Sequence, residues 1–561
     1  MILDRLRELH ARLPDDVLIP AAHKKQTVRW ILNISADGRF LGFTETGKKK
    51  KDYKEFVAPY ANRTSATKPF LLIDKPDYVL GLSEKESDKA LTKAAERHNA
   101  YMELLDECAK ATEDEELMVL SRLLRDPEQV EQAQSALRAE TWKPGDLIAP
   151  RVGDNLLHRR PTARRFWQQR AEAEAVNKSA FTAECLLCSE EKPIARTHPI
   201  ELLVGPDRVG LVTGNAAAFL SHGLQQSEIA PLCMECATAY GEALRFLIQT
   251  DEHHLRLTNA VWLFWTREPV EENFARFFSN PDPADVARLL KTPRTSHLPH
   301  LDANDFYALV VSSNVSRLVV RSWLTLSVPE VLDNLSCYFE RQRICNRNGE
   351  SPPLKLLALA GALVRDLKDL PTHVPSQLVE HALCGHMLPL NLLYQAVQRA
   401  RAEKKYPVTR PRAALIKLVL LSNYPDAMID ETLTPDHPSP AYQCGRMFAV
   451  LESIQQVAIS PKATLVDRFY GSASTTPAAV FGTLVRKAQA HLGKLRKTKR
   501  GLYVYFDQTL AEIASHLQSF PRTLTPEEQG LFALGFYQER HHPRKKSDPD
   551  STTPDADTGE H

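Results

Sequence analysis

The sequence predicts an α+β fold, in which a mixed α/β N-terminal part carries an inserted four-cysteine region and a helical part follows. Three observations lead to this fold class. Short runs rich in β-branched and aromatic residues, which favour strands, are concentrated in residues 1–350. Two Cys-x-x-Cys pairs interrupt that part of the chain. From residue 351 onward, apolar residues recur at helical spacing between short connections, which is typical of an antiparallel helical bundle.

The chain divides into seven predicted segments. They are, in order, an N-terminal α/β domain with basic loops (1–180), the cysteine region (181–245), strands that complete the mixed sheet (246–350), a helical region (351–421), a linker (422–442), a C-terminal antiparallel helical bundle (443–540) and a disordered tail (541–561). A chain of 561 residues is too long for one compact core, which agrees with several domains. The linker is predicted from its four prolines among Asp and Thr residues, and the tail from its polar composition.

The first segment begins with a helix and a hairpin. Residues 2–13 place their apolar side chains on one helical face. Residues 27–34 and 39–43 predict two strands, joined by a turn at Asp37-Gly38. Residues 83–139 are rich in Glu, Lys, Ala and Leu at helical spacing and predict two or three surface helices.

Overall composition excludes few classes of function. The chain is 43% hydrophobic and 25% charged, with 71 Lys and Arg against 70 Asp and Glu, so any polyanionic partner must be inferred from local patches. The N-terminus is a charged amphipathic helix rather than a signal peptide, and no apolar run is long enough to span a bilayer. Paired thiols at metal spacing fit a reducing compartment. We therefore expect a cytoplasmic protein without a membrane partner.

Four of the nine cysteines have the spacing of metal ligands. Cys185 and Cys188 form one pair, and Cys233 and Cys236 form the other. Four thiolates are what tetrahedral Zn²⁺ takes in a closed structural site, and a two-residue gap lets both sulfurs of a pair reach one metal. The alternative is two surface turns that carry thiols, which the long gap between the pairs leaves open. We expect a zinc-ribbon-like region with a structural Zn²⁺.

The residues between the pairs also suggest an enzyme. His198-Pro199 and then Asn215 lie between the knuckles, in the order seen in HNH nucleases that carry a four-cysteine zinc. Such enzymes use the first His as general base and need further ligands for a catalytic metal. Here Thr197 precedes His198 and Ala237 follows Cys236, so the metal-binding half of that motif is missing.

Two basic stretches in the first segment are candidates for a DNA surface. The first is the run Lys48, Lys49, Lys50 and Lys51, which would steer DNA electrostatically. The second is a polar loop that can grip phosphate and hydrogen-bond to bases through Asn62, Arg63, Thr64 and Lys68. A solvated hairpin tip explains the same composition.

A third basic patch lies in the predicted bundle. It consists of Arg486, Lys494, Arg496, Lys497 and Arg500, with Lys487 and Lys499 among them and Tyr503, Tyr505 and Phe506 just beyond. Phosphate contacts and stacking would let such a surface follow a single strand. A solvated helix end, where Lys and Arg favour the negative end of the dipole, is the alternative.

Several blocks, in order along almost the whole chain, resemble the large subunit of the type I-C CRISPR Cascade complex, the Csd family. The blocks include residues 59–81, 193–199, 215–223, 240–244, 261–265, 306–323, 445–452 and 467–477. The first of them, which resembles the N-terminal signature of that family, reads Pro59…Arg63-Thr64-Ser65…Lys68-Pro69…Asp74…Tyr78-Val-Leu-Gly81. The zinc site is inferred from the spacing of this chain's own cysteines and not from the family.

The resemblance implies a non-catalytic subunit of an RNA-guided DNA surveillance complex. Its partners would be guide RNA, double-stranded target DNA, the backbone and small subunits of Cascade, and a helicase-nuclease that it recruits. The first segment would recognise the protospacer-adjacent motif and promote duplex opening and R-loop formation. The bundle resembles the small subunit and would hold the non-target strand. A separate small subunit is expected from an internal start in the same gene, for which Met428 and Met447 are candidates.

Two other classes of function stay open on the sequence. One is a zinc-ribbon HNH-like nuclease centred on His198, which predicts metal-dependent nicking by the isolated protein. The other is a zinc-stabilised scaffold that contacts only proteins. It predicts that neutralising Arg63 and Lys68 leaves DNA binding unchanged.

Overall fold

The computed structural model describes residues 2–14, 18–19, 22–60, 67–178, 181–198, 202–204, 207–212, 214, 218, 224, 226–258, 260–291, 304–314 and 317–542. The chain forms two compact units. The first consists of Met1–Gln249 and Ser313–Val319, and the second of Thr250–Ser312 and Val320–His561. Both sheets and helices are present, with the sheets early and a long helical region late, so the predicted α+β class is confirmed.

A four-stranded sheet forms the centre of the first unit. Its order is Phe40–Glu45, Trp30–Ile34, Ile148–Val152 and Asn155–Leu156, with the middle pair parallel. The hairpin turns at Gly38, whose φ of +89° suits glycine. The single strand expected over residues 27–34 is two strands, because His23–Val28 pairs separately with Lys54–Pro59. We call this two-stranded element the N-terminal ribbon.

Helices cover the four-stranded sheet. Residues 83–139 contain three of them, Asp88–Thr112, Glu115–Arg125 and Pro127–Ala139, and Asp114 and Asp126 cap the second and third through side-chain hydrogen bonds. The remaining helices of the unit are Ile2–Arg12, Pro76–Val79, Pro161–Lys178 and Met234–Gln249. Ile2–Arg12 buries Leu6 and Leu9 and packs against Met234–Gln249.

The cysteine region contains two small hairpins. Thr182–Glu184 pairs with Glu191–Pro193, and Leu202–Val204 pairs with Asp207–Val209. The helix Met234–Gln249 begins between the two cysteines of the second pair, Cys233 and Cys236.

The strands of the second unit form a sheet of their own. Its order is His254–Leu257, Ala260–Thr266, Asp305–Asn314 and Arg317–Ser327. We expected these strands to complete the N-terminal sheet, but the structure differs. Ala260–Thr266 is hydrogen-bonded along both edges, and so is Trp30–Ile34 in the first unit, so neither strand has a free edge for the other sheet.

The rest of the second unit is helical. Its helices are Phe274–Ser279, Pro283–Lys291, Val328–Gln342, Leu356–Gly361, His373–Cys384, Leu390–Ala402, Arg410–Asn423, Pro440–Ile459, Leu465–Ala473, Pro477–Thr498, Arg500–Ser515 and Pro526–His541. The last of them packs against Pro440–Ile459, Leu390–Ala402 and Arg410–Asn423. The helices on either side of the predicted linker therefore share one hydrophobic core.

The segment 422–442, expected to be a linker, is packed against these helices. Ile429 and His437 are buried. The side chain of Gln538 donates to the carbonyl oxygens of Asp430 and Thr432 at 2.9 and 2.8 Å. Pro425 follows the end of the helix Arg410–Asn423 and Pro440 begins the next helix, while Gln538 of the last helix holds the backbone between them. The expected disordered tail lies outside the described residues from position 543 onward.

Candidate metal centre and nucleic-acid surfaces

The four cysteines predicted as ligands meet at one point. Their sulfur atoms all lie within 4.8 Å of one another, and no other group of three or more His, Cys, Asp or Glu in the described part of the chain is arranged to hold a metal. Cys185, Cys233 and Cys236 are buried and Cys188 is half-buried. The Sγ atoms of Cys188 and Cys233 are 4.0 Å apart, close to the roughly 3.8 Å that tetrahedral coordination at a Zn–S distance of about 2.3 Å requires.

Backbone pairing explains how the pairs meet across a long gap. The first pair lies in the turn of the hairpin whose strands are Thr182–Glu184 and Glu191–Pro193. The chain then pairs with the segment before the second pair, where Ala195 donates to the carbonyl oxygen of Leu232 at 2.9 Å. The second pair opens the helix Met234–Gln249. Backbone hydrogen bonds beside the cysteines thus bring the two pairs together in space. The long stretch of sequence between the pairs is therefore compatible with a single metal site.

The thiols have different electrostatic environments. Burial raises the pKa of Cys185, but the backbone N–H groups of Cys188, Cys233 and Leu187 outweigh burial and lower it to about 7. Burial raises the pKa of Cys233 and of Cys236, and the sulfur of Cys185 raises both further. A second and third thiolate therefore form readily only beside a cation, which is the property of a metal-binding donor set.

The same cluster holds the N-terminal helix. The guanidinium of Arg7 donates to the carbonyl oxygen of Leu187, inside the first Cys-x-x-Cys turn, at 2.6 Å. Ile19 donates from its backbone to Glu242, on the helix Met234–Gln249 that the second pair opens, at 3.1 Å. These contacts have no local signal in the sequence, because they join positions more than 170 residues apart.

His198 lies in a closed environment. Its Nδ1 shares a hydrogen bond of 2.7 Å with the hydroxyl of Tyr240, whose side chain is buried. Burial lowers the pKa of His198 to about 4. Its Nε2 is enclosed and has no hydrogen-bond partner among the described residues. Asn215, the second nuclease candidate, lies outside the described residues.

Lysines are concentrated on the N-terminal ribbon and the turn before its second strand. Lys48, Lys49, Lys50 and Lys51 are all exposed, and Lys50–Asp52 is a short 3₁₀ turn leading into Lys54–Pro59. The first strand of the ribbon adds Lys24 and Lys25, which sequence reasoning missed. Lys24 lies 4.7 Å from the ring centroid of Tyr60, next to the predicted motif-reading loop. Only the pairing of strands far apart in sequence brings these lysines together.

The predicted motif-reading residues are only partly described. Asn62, Arg63 and Thr64 lie outside the described residues. Lys68 is half-buried, and its ammonium contacts the carboxylate of Glu174 at 2.6 Å. This ion pair anchors the end of the loop to the helix Pro161–Lys178.

The residues of the basic patch on the C-terminal helices differ in the contacts that they make. Arg486, Arg496, Lys497 and Arg500 are exposed and form no ion pair in residues 317–542. Lys494 instead donates to the carbonyl oxygen of Ala458 at 2.7 Å. Lys462, four positions after Ala458 in the chain, is also exposed, and sequence reasoning missed it because it stands alone in its segment.

The aromatic residues expected beside this patch belong to a second helix, Arg500–Ser515. Phe506 is 1% exposed and lies in the core. The ring of Tyr505 packs edge-on against it, with centroids 5.4 Å apart. Phe506 therefore offers no stacking surface to a strand, whereas Tyr503 and Tyr505 remain half-buried.

The comparison with protein families decides the identity of the chain. A family model described as CRISPR-associated protein (Cas_Csd1) matches residues 4–543. The chain belongs to the Csd1 family of CRISPR-associated proteins. The match spans both units of this Csd1 protein and confirms the resemblance to the type I-C large subunit.

Two further findings concern this Csd1 protein. A search of curated proteins finds no match. In the part of the chain that the structure describes, none of the helices combines the length and the apolar character needed to cross a bilayer.

Proposed function

We propose that this Csd1 protein is the non-catalytic large subunit of a type I-C CRISPR Cascade complex that surveys DNA with a guide RNA. The observation that carries the proposal is the family match over residues 4–543. In such a complex, base pairing with the guide reads most of the target, and protein reads a short motif beside it. Guide RNA, double-stranded DNA, the backbone and small subunits, and a recruited helicase-nuclease are the proposed partners.

The first unit would read the motif and promote duplex opening. The exposed lysines of the N-terminal ribbon and of the run Lys48–Lys51 support this role, because unpaired cations attract phosphate. Asn62, Arg63 and Thr64 would contact the motif. Lys68 would hold the end of the loop through its ion pair with Glu174 and would also contact DNA.

A structural Zn²⁺ would hold the cysteine region. Four thiols without an open position match a closed site, so the metal would supply cross-linking of the fold and no catalysis. The hydrogen bond from Arg7, on the helix Ile2–Arg12, to Leu187 in the first Cys-x-x-Cys turn supports a role of the metal in stabilising the first unit.

The helices around Pro477–Thr498 would hold the displaced strand. Arg486, Arg496, Lys497 and Arg500 support this role, because they are exposed and form no ion pair within residues 317–542. A separate small subunit from an internal start would contain these helices. Met428 suits such a start better than Met447, because Met447 lies inside the helix Pro440–Ile459 and a start there removes Arg446.

A binding titration tests the proposal. The chain is co-expressed with guide RNA and its neighbouring subunits, and matched duplexes with and without the flanking motif are titrated at one stated salt concentration. Arg63→Ala/Lys68→Ala is compared with the wild type and with Lys110→Ala/Arg138→Ala, which removes the same charge from two exposed helix positions. We expect the motif preference to be lost in the first double variant only.

Other outcomes have distinct meanings. A preference that survives Arg63→Ala/Lys68→Ala contradicts the motif-reading loop and leaves the complex in place. Absence of any guide-dependent binding contradicts the proposed function itself. Metal-dependent nicking by the isolated chain that His198→Ala abolishes would establish the nuclease instead.

A further inference from the structure

A cleft of about 190 Å³ lies beside the short helix Pro76–Val79, at the end of the sequence block of residues 59–81. None of the proposed roles uses it. Its walls combine the half-buried indole of Trp142 and the ring of Pro144 with the side of the helix Asp88–Thr112 that carries Ala90 and Ala94. An indole together with two alanine methyl groups leaves room for a flat ring.

The charges around the cleft favour an anion. Lys85 and Lys93 line it, are exposed, and form no ion pair among the described residues. Glu84 is the one exposed carboxylate of the lining. The second carboxylate, that of Asp77, is bound to the guanidinium of Arg97. The lining thus carries two exposed ammonium groups, of Lys85 and Lys93, and one exposed carboxylate, of Glu84. This balance of charge disfavours a metal ion and favours phosphate.

The backbone around the cleft is preformed. Gly81 turns the chain with φ +65°, a backbone conformation that residues with a side chain rarely adopt. The carbonyl oxygen of Leu80 accepts a hydrogen bond of 2.7 Å from Gln134. The hydroxyl of Ser83 donates to the carbonyl oxygen of Lys85 at 2.8 Å. These contacts fix residues 80–85 beside the helix, as is usual for a binding site.

We propose that this cleft holds one unpaired nucleotide of a nucleic-acid strand. Its base stacks on Trp142, and its phosphate lies against Lys85 and Lys93. The choice of a nucleic-acid strand as partner rests on the proposed function, while the stacking surface and the unpaired lysines rest on the cleft alone. Because every base has a flat face, the site tolerates any of the four bases.

The test measures binding of a labelled single strand, about ten nucleotides long, to the full-length chain by fluorescence anisotropy. Trp142→Ala is expected to bind about tenfold more weakly, since one base loses its stacking partner. Trp142→Phe keeps an aromatic ring and is expected to lose less. Lys93→Ala is expected to reduce the slope of log affinity against log salt by about 0.7, for one phosphate contact.

Lys89→Ala is the matched control, because Lys89 is exposed on the same helix and does not line the cleft. It is expected to bind like the wild type. Equal losses in Lys89→Ala and Lys93→Ala, with none in Trp142→Ala, overturn the proposal in favour of general electrostatic attraction. Thermal melting of Trp142→Phe checks that the fold is intact.

Competition separates the sources of the ligand. A free nucleoside monophosphate that displaces the strand at equal concentration overturns the assignment to a strand, and an acidic peptide that does so overturns base stacking. The variants are also tested in the assembled complex. If Trp142→Ala leaves both single-strand affinity and motif preference unchanged, the cleft proposal fails and the proposed function stands. If the wild-type complex shows no guide-dependent binding, the proposed function fails, and the single-strand titration still decides the cleft.

Discussion

The ammonium of Lys494 lies 2.7 Å from the carbonyl oxygen of Ala458, in the last turn of the helix Pro440–Ile459. A lysine in a basic patch thus acts as a cap for another helix. Lys497, three residues later on the same helix, is exposed and makes no such contact in the described structure. The two residues therefore have separable roles.

Lys494→Ala is expected to lower the free energy of unfolding by about 1 kcal/mol, because a helix-terminal carbonyl loses its donor. Lys497→Ala is expected to leave stability unchanged and to reduce the salt dependence of single-strand binding by about 0.7 in slope. Urea denaturation and binding titrations of both variants check this. The reverse pattern would show that Lys494 contacts the strand and that its bond to Ala458 is incidental.

Removal of the metal is expected to loosen the N-terminal helix as well as the cysteine region. The protein purified without chelator should carry about one equivalent of zinc. Cys236→Ser should lose the metal, lower the melting temperature, and reduce hydrogen-exchange protection in residues 2–12, since Arg7 is held by the first knuckle. Cys384→Ser, a half-buried cysteine outside the cluster, is the control. Less than about half an equivalent of metal in the wild type would contradict the four-thiolate site.

Acid is expected to destabilise the chain through His158. Burial, followed by the charges of Arg159, Arg164 and His23, lowers the pKa of His158 from 6.5 to about 3. Between these values the unfolded chain binds a proton that the folded chain does not, so this contribution to stability is complete above pH 6.5 and is lost as the pH falls. The loss is about 1.4 kcal/mol per pH unit within that window.

The measurement is denaturant unfolding of the wild type and His158→Leu at pH 7 and pH 5. The difference in stability between the two pH values should be smaller in the variant by about 1 to 2 kcal/mol. His373→Leu removes an exposed histidine and should behave like the wild type. Identical pH dependence in His158→Leu and the wild type would mean that folding does not lower the pKa of His158.

Arg446 is expected to be essential for the second unit. Its buried guanidinium contacts Glu539 and Glu512, each at 2.9 Å, and also donates to the carbonyl oxygen of Pro435 at 2.8 Å. Burial raises the pKa of Glu539 even though Arg446 opposes the shift. Arg446→Ala should therefore cost about 3 to 5 kcal/mol, because Glu539 remains buried and uncompensated.

Glu539→Gln in the Arg446→Ala background should recover part of that loss, since the uncompensated charge is gone. The comparison is Arg399→Ala, which removes the ion pair between Arg399 and Glu403 at the end of a different helix, Leu390–Ala402. A loss no larger than that of Arg399→Ala would show that the buried pair contributes little.

The same network distinguishes the two internal starts. A fragment that begins at Met428 keeps Arg446 and the hydrogen bond between Tyr442 and Gln538, whereas one that begins at Met447 loses both. The 428–561 fragment should unfold cooperatively and the 447–561 fragment should not. Circular dichroism during thermal unfolding of both fragments measures this. Equal cooperativity would mean that the network is dispensable in the fragment.

The cysteine site was predictable from sequence because each ligand pair carries its own local spacing. The roles of Lys68 and Lys494 were not, because their partners lie 106 and 36 positions away. Phe506 follows a basic run and yet faces the core, since the chain starts a new helix at Arg500. Composition also suggested a linker over 422–442. A segment rich in turn-forming residues has the same composition whether it is a free linker or is held by side chains from distant parts of the chain. Composition alone therefore does not distinguish the two.

The burial of the last helix has a consequence for biosynthesis. Phe532 and Phe536 of Pro526–His541 are fully enclosed by helices made earlier. Until the ribosome has released residues near 541, the apolar faces that receive this helix stay uncovered. The second unit therefore closes its core only when this late helix arrives, and the nascent chain before that point exposes apolar surface that favours aggregation.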